Sequence, residues 1–330
     1  MLIFHDDIIF KLQSKGGISN YWKNLKKHLK HHQNFEYFTN FSKKKSLLPL
    51  KILRYIDYSL KFENKVLFHS SYYRISCSEK AINIITVYDF IYEKFAKGIR
   101  KKIHVWQKKR AIYNAHHIIC ISHSTKKDLL EYYPDVNPSK ISVVYLGVSE
   151  KFKKLQKRTN DKMLLFVGAR NGYKNFDALI DAANQLNGYS LKIVGGGRLS
   201  NYELKRLQNL AYQHILNCND ETLNKLYNNC FALIYPSLYE GFGLPIIESL
   251  KSGCPVICNN GSSTGEVGGK YVISGEMSAK FIVDSVYSLE KSDFRSKLIE
   301  NGIKYASQFN WQTTANETHA IYKKLWKDFH

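Results

Sequence analysis

The run Tyr235-Pro-Ser-Leu-Tyr-Glu240-Gly-Phe-Gly-Leu-Pro245-Ile-Ile-Glu248 decides the fold of this chain. Phe231 to Tyr235 is short, apolar and β-rich, as a buried strand is. Pro236 and Ser237 stop it. Glu240 to Leu244 holds two glycines, so the backbone there can turn sharply or approach a ligand closely. Pro245 suits the first position of a helix that carries Glu248. Gly253 and Pro255 end that helix, and Val256 to Cys258 reads as the next strand. Strand, glycine loop, helix and strand make a βαβ unit. Free amides at the helix start would face an anion such as a phosphate. Glu240 and Glu248 repel a phosphate but accept hydrogen bonds from sugar hydroxyls. The arrangement suits a sugar attached to a phosphate. A structural strand-turn-helix with two exposed acids fits the same spacing.

Upstream, Met163 to Val167 reads as a strand, followed by a loop with Gly168, Arg170 and Lys174 and then a helix from about Phe176. Such a loop suits a pyrophosphate, Arg offering a planar fork and Lys a point charge. Ser190 to Val194 runs into Gly195-Gly196-Gly197, which is not G-x-G-x-x-G, so dinucleotide oxidoreductase chemistry gains little. Asp220 is expected to cap a helix Glu221–Asn228. Nearer the N-terminus, Gly16-Gly17 precedes an expected helix from Ser19 to Lys30, with Ser19 as its cap. Val66 to His69 and Asn83 to Tyr88 read as strands, the second followed by Asp89. Asp89 either meets a substrate or caps the next helix. Ile118 to Ile121 and Ile141 to Tyr145 read as further strands. The alternation predicts an α/β chain with parallel sheets and ligands at the strands' carboxyl ends.

The chain has 330 residues, 44% of them hydrophobic, enough for two domains with sizeable cores. Six cysteines form no C-x-x-C pair, so structural zinc is not expected, and free thiols of a reducing cytoplasm are. No signal peptide and no membrane span is expected. The net charge is +21, and residues 1–150 carry 26 Lys and Arg against 12 Asp and Glu. That balance points to phosphate groups, an anionic lipid surface or nucleic acid, or to compositional drift. Residues 40–65 interleave basic and apolar side chains, fitting either a membrane interface or a core helix with a solvated lysine face.

Glu240-Gly-Phe-Gly-Leu-Pro-Ile-Ile-Glu248, continued by Ser252-Gly-Cys-Pro-Val-Ile257 and Ser262-Ser-Thr-Gly-Glu-Val267, resembles the signature of the retaining glycosyltransferases of family four. Lys174, six residues after Gly168, matches that family's spacing, whereas Arg170 sits one position late. Gly16-Gly17 resembles the family's donor-facing loop. Val87-Tyr88-Asp89 with Glu93 resembles its Val-His-Asp element, with tyrosine where the family has histidine. The run from Phe166 to Asn175 is similar to bacterial mannosyl- and deoxyhexosyltransferases of surface polysaccharide synthesis.

The resemblance implies the GT-B fold, two Rossmann-like domains facing a central cleft. Residues 1–155 would bind the acceptor and 156–310 the nucleotide-sugar, with Lys151 to Asp161 as linker and 311–330 a helix crossing back to the first domain. It implies transfer of a hexose, GDP-mannose or a related donor, to a glycan or lipid-linked glycan with retention. No metal and no cofactor is expected, the nucleotide-sugar being a substrate. Glu240 would hold the sugar and Glu248 the ribose. Arg170, Lys174 and the amides of Phe242, Gly243 and Leu244 would face the diphosphate, with Gly17 and Gly195 lining the donor. Asp89 would sit by the acceptor hydroxyl, with His69 and Tyr88 as acceptor-side candidates. A cytoplasmic enzyme, peripheral at the inner face of the membrane, follows, with no nucleic-acid partner. Another GT-B enzyme (a nucleotide-sugar 2-epimerase or a sugar phosphorylase) and a non-enzymatic nucleotide-sugar or nucleic-acid binder are the alternatives.

Overall fold

The central strands Val66–Ser70, Ala81–Val87, Ala232–Tyr235 and Val256–Asn259 of two parallel sheets are buried along their whole length. Burial on both faces is what a parallel sheet between helix layers requires. The computed structural model describes residues 1–13, 16–30, 36–38, 52, 54–59, 61–156 and 162–329. They form two compact units, Met1–Gly147 with Trp311–His330, and Val148–Asn310.

In the first unit the strands are β1 (Leu2–Asp6), β2 (Glu36–Phe38), β3 (Val66–Ser70), β4 (Ala81–Val87), β5 (His117–Cys120) and β6 (Ile141–Val143). Their order is β2-β1-β3-β4-β5-β6, all pairs parallel. Phe4 stacks on Phe68 and joins Val66 and Ala81 in one core cluster. The helix Trp311–Asp328 belongs to this unit and packs along the helix Gly17–Leu29. Its Tyr322 hydroxyl meets His69 Nδ1 at 2.5 Å and His5 Nε2 at 3.3 Å, and its Thr314 hydroxyl donates to the Tyr145 carbonyl.

In the second unit β7 (Met163–Val167), β8 (Ser190–Val194), β9 (Tyr212–Ile215), β10 (Ala232–Tyr235), β11 (Val256–Asn259) and β12 (Ile273–Gly275) run in the order β12-β11-β10-β7-β8-β9. This is the doubly wound order, with the reversal between β7 and β10. Phe166, Leu179, Ile180, Ile193, Ile234 and Ile282 fill its core.

Several local expectations shift. The division falls after Gly147, not after residue 155. Residues beyond it pack into the second unit: Phe152 lies 6.0 Å from the Tyr227 ring, and the Lys153 and Leu155 amides donate to Asn224 and Asn228. The helix Gly17–Leu29 begins at its Gly16 cap, and the Ser19 hydroxyl turns back to the Gly16 carbonyl. Asn219, not Asp220, caps the helix Asp220–Asn229, because its side chain reaches the Thr222 amide. Residues 40–51, 53 and 60 of the basic segment 40–65 and the linker residues 157–161 lie outside the described residues.

Candidate functional site

The carboxyl ends of β7 and β10 meet at the reversal of the second sheet, where an open α/β sheet binds its ligand. The loop after β7 brings Lys174 and the loop after β10 brings Glu240, 66 residues later. Lys174 Nζ lies 2.5 Å from Glu240 Oε1, and both side chains are nearly buried. The Tyr235 hydroxyl donates to the same oxygen at 2.8 Å. The turn Asn259–Thr264 clasps the backbone of Glu240. Its amide donates to the Ser262 hydroxyl at 3.2 Å, and its carbonyl accepts from Ser263 at 2.8 Å. Gly243, at φ 99°, caps the helix Leu244–Lys251, with Pro245 in its first turn. Few side chains tolerate that backbone, and the first amides of a helix have no carbonyl partner within it.

Glu248 lies one turn into that helix. Its Oε2 accepts from the Tyr227 hydroxyl at 3.1 Å, and burial raises its pKa to about 7. Phe242 is buried, its ring 6.2 Å from Phe309, so it contributes backbone rather than a side-chain surface.

Arg170 departs from its expected place. Its Nε pairs with Glu203 at 2.7 Å, Nη1 donates to the Gly195 carbonyl, and Nη2 donates to the carbonyls of Gly197 and Arg198. With these bonds made and its side chain buried, the guanidinium holds the Gly195–Gly197 turn rather than facing a diphosphate. A Cβ on Gly196 would collide with Arg170 Nη1 and stand 2.9 Å from the Gly168 carbonyl oxygen. Arg170, Asn171, Phe176, Arg198 and Tyr202 line a cavity of about 380 Å³ beside that turn.

In the first unit Gly17 is exposed in the first turn of its helix, with open space where a Cβ would stand. Asp89 lies just past β4. Its Oδ1 accepts from the Ile91 amide at 3.0 Å and its carbonyl accepts from Lys108 Nζ at 2.8 Å. The N-cap of the helix Ile91–Phe95 is Phe90 rather than Asp89, and Asp89 remains half-buried. Lys108 is fully buried and also pairs with Glu93 at 2.8 Å.

His69 and Tyr88 are placed differently from acceptor-side groups. His69 is buried, with Nδ1 on Tyr322 and Nε2 on Thr86, and desolvation lowers its pKa to about 3. It is a neutral tie between the sheet and the helix Trp311–Asp328. Tyr88 accepts from the Trp22 indole at 2.7 Å and donates to the Ser71 carbonyl at 3.3 Å. Burial holds its hydroxyl well above the ordinary tyrosine pKa. The tyrosine spends its polar atom inside the core.

Residues that sequence reasoning missed cluster at the other reversal, between β1 and β3. Asp6 pairs with Arg74 at 3.1 Å, and Asp7 with Lys26 at 2.5 Å. Burial raises Asp6 to about 6, against the pull of Arg74. The adjacent acids Asp6-Asp7 at a strand end were the available signal.

Two six-stranded parallel sheets make a two-unit α/β protein, and solved structures share this fold. Sucrose-phosphate synthase from Thermosynechococcus elongatus superimposes with a TM-score of 0.74 at 15% identity, covering 99% of each chain. Anabaena Alr3699/HepE, solved in complex with UDP-glucose, gives 0.69 at 15% identity, covering 98% of this chain and 99% of that one. These likenesses establish the GT-B fold.

Two family models match consecutive parts of the chain: Glycosyltransferase Family 4 over residues 26–152 and Glycosyl transferases group 1 over residues 148–305. The chain belongs to this glycosyltransferase family. The O-antigen chain mannosyltransferase RfbU of Salmonella typhimurium strain LT2 is 28% identical over 236 residues, 67% of this chain and 65% of that protein. The match thus spans just under two thirds of the relative's own length.

Proposed function

We propose that the protein moves a hexose, mannose or a related sugar carried on a nucleoside diphosphate, to a hydroxyl of a glycan or lipid-linked glycan in surface polysaccharide or lipopolysaccharide synthesis. The reaction retains anomeric configuration and uses no metal or cofactor, and the enzyme works in the cytoplasm. The observation that carries this reading is the Lys174–Glu240 pair beside the start of the helix Leu244–Lys251. It sets one cation, one carboxylate and a helix's first backbone amides at one sheet reversal. Those are the groups that a sugar esterified to a diphosphate requires. The likeness to RfbU supports mannose and an O-antigen-type acceptor.

The bond between the sugar's anomeric carbon and the diphosphate oxygen breaks, and a bond to the acceptor oxygen forms on the same face. The acceptor's proton passes to the leaving diphosphate, which departs as nucleoside diphosphate. Lys174 and the amides of Phe242, Gly243 and Leu244 offset the charge that develops on that leaving group. Glu240 accepts from the sugar hydroxyls and Glu248 from the ribose. Asp89 serves the acceptor hydroxyl, and Arg170 acts at one remove by fixing the Gly195 turn. Two carboxylates acting as nucleophile and acid, as in glycosidases, are not invoked.

The test is thermal stabilisation by UDP-, GDP- and dTDP-sugars, on the native chain and on Glu248→Ala, followed by product analysis with lipid-linked glycan acceptors. One nucleotide class should stabilise the native chain and fail on the variant. Stabilisation that is equal in both, or an epimer formed from donor alone, overturns the reading.

A further inference from the structure

The helix Gly98–Asn114 is amphipathic in an unusual sense. It buries His104, Gln107, Lys108, Ala111 and Ile112. On its other side Ile99, Ile103, Trp106 and Tyr113 are exposed, Ile99 at 74%, Trp106 at 53% and Ile103 at 41%. With 3.6 residues per turn these four positions fall in a sector of about 80° turned away from the core. Phe95, also exposed, ends the helix just before. The exposed Ile56 lies on a segment bonded to this helix: Arg110 pairs with Asp57 at 2.6 Å, and Gln107 donates to the Arg54 carbonyl.

Charge accompanies the apolar stripe. From Lys94 to Arg110 the chain has eight Lys and Arg and no Asp or Glu. Three of the eight are neutralised within the unit, Lys94 by Asp128, Lys108 by Glu93 and Arg110 by Asp57. Lys97, Arg100, Lys101, Lys102 and Lys109 have no carboxylate partner among the described residues. Long basic side chains around exposed isoleucine and tryptophan match a bilayer edge, where apolar groups enter below the head groups and cations meet anionic phosphates. A nucleic acid would engage the cations and the aromatic rings but gain little from Ile99 and Ile103.

We infer that the outward face of Gly98–Asn114 docks the enzyme on an anionic lipid bilayer. This deepens the proposed function, resting on its lipid-linked acceptor for its purpose, and gives the membrane contact a surface other than residues 40–65.

The test uses the full chain with vesicles of phosphatidylcholine alone or mixed with phosphatidylglycerol. Co-sedimentation should need the anionic lipid and weaken with salt, and Trp106 fluorescence should shift to the blue, an effect removed by Trp106→Phe. Each basic residue contributes about fivefold to such binding, so Arg100→Gln, Lys102→Gln and Lys109→Gln together should weaken it about a hundredfold. Ile99→Ser with Ile103→Ser should weaken it at least about tenfold. Equal binding to neutral vesicles, or unchanged binding by the serine variant, overturns the inference. So does RNA binding that displaces the vesicles, or a dimer in sedimentation that the serine variant dissolves. Donor-induced thermal stabilisation, measured without vesicles on the same variants, reports separately on the glycosyltransferase reading.

Discussion

Glu248 offers the sharpest test of how the donor is held. Its carboxyl sits on the helix Leu244–Lys251 against the Tyr227 hydroxyl, and burial raises its pKa from 4.5 to about 7. If its ionised form accepts hydrogen bonds from a ribose diol, only the ionised fraction binds well. With a pKa of about 7 that fraction rises about tenfold between pH 6 and pH 8, equivalent to about 1.4 kcal/mol. The donor's dissociation constant should therefore fall about tenfold over that range. Calorimetric titration with an intact nucleotide-sugar, at constant ionic strength, reads this directly. Glu248→Gln keeps the shape but loses the titration, so its affinity should be weak and flat with pH. The sign for the free protein is opposite. A carboxyl whose folded pKa is raised favours the folded state at low pH, and that contribution is lost as pH rises from 4.5 through 7. Donor affinity that is constant from pH 6 to pH 8, or equally pH-dependent in Glu248→Gln, refutes the reasoning.

Tyr88→Phe leaves the buried Trp22 indole without its acceptor and should cost about 1–3 kcal/mol in urea unfolding. Turnover per folded molecule should change little, whereas a fall of about a hundredfold would restore a catalytic tyrosine. Lys108→Ala strands the buried Glu93 carboxylate and should destabilise by about 3–5 kcal/mol, with Lys108→Met and Glu93→Gln together costing much less. Gly196→Ala places a methyl against Arg170 and the Gly168 carbonyl at φ 77°, and a loss of about 1–3 kcal/mol in thermal unfolding is expected.

Much of the second unit was legible because its signals are local. Pro245, two residues after Gly243, marks the first turn of the helix Leu244–Lys251, and the strand at Ala232–Tyr235 is apolar throughout. The loop carrying Lys174 and the loop carrying Glu240 were each readable from a few adjacent residues. The first unit was less legible because its informative residues act through distant partners. His69 and Tyr88 stand at strand ends, where a functional side chain is expected. Tyr322, from the far end of the chain, and Trp22 occupy their polar atoms instead. Arg170 was read as a phosphate ligand because Glu203, its partner, follows 33 residues later.

Sequence by itself determined the alternation of strands and helices, the glycine loops and the family, since backbone preference and side-chain period are properties of neighbours along the chain. The tertiary structure alone decided which loops meet. The order β12-β11-β10-β7-β8-β9 puts Lys174 against Glu240 at the reversal, and strand order has no signature in local composition. It also decided which polar groups are desolvated. Burial makes Glu248 titrate near 7 and keeps His69 neutral, and it depends on all the atoms packed around a group rather than on its place in the chain.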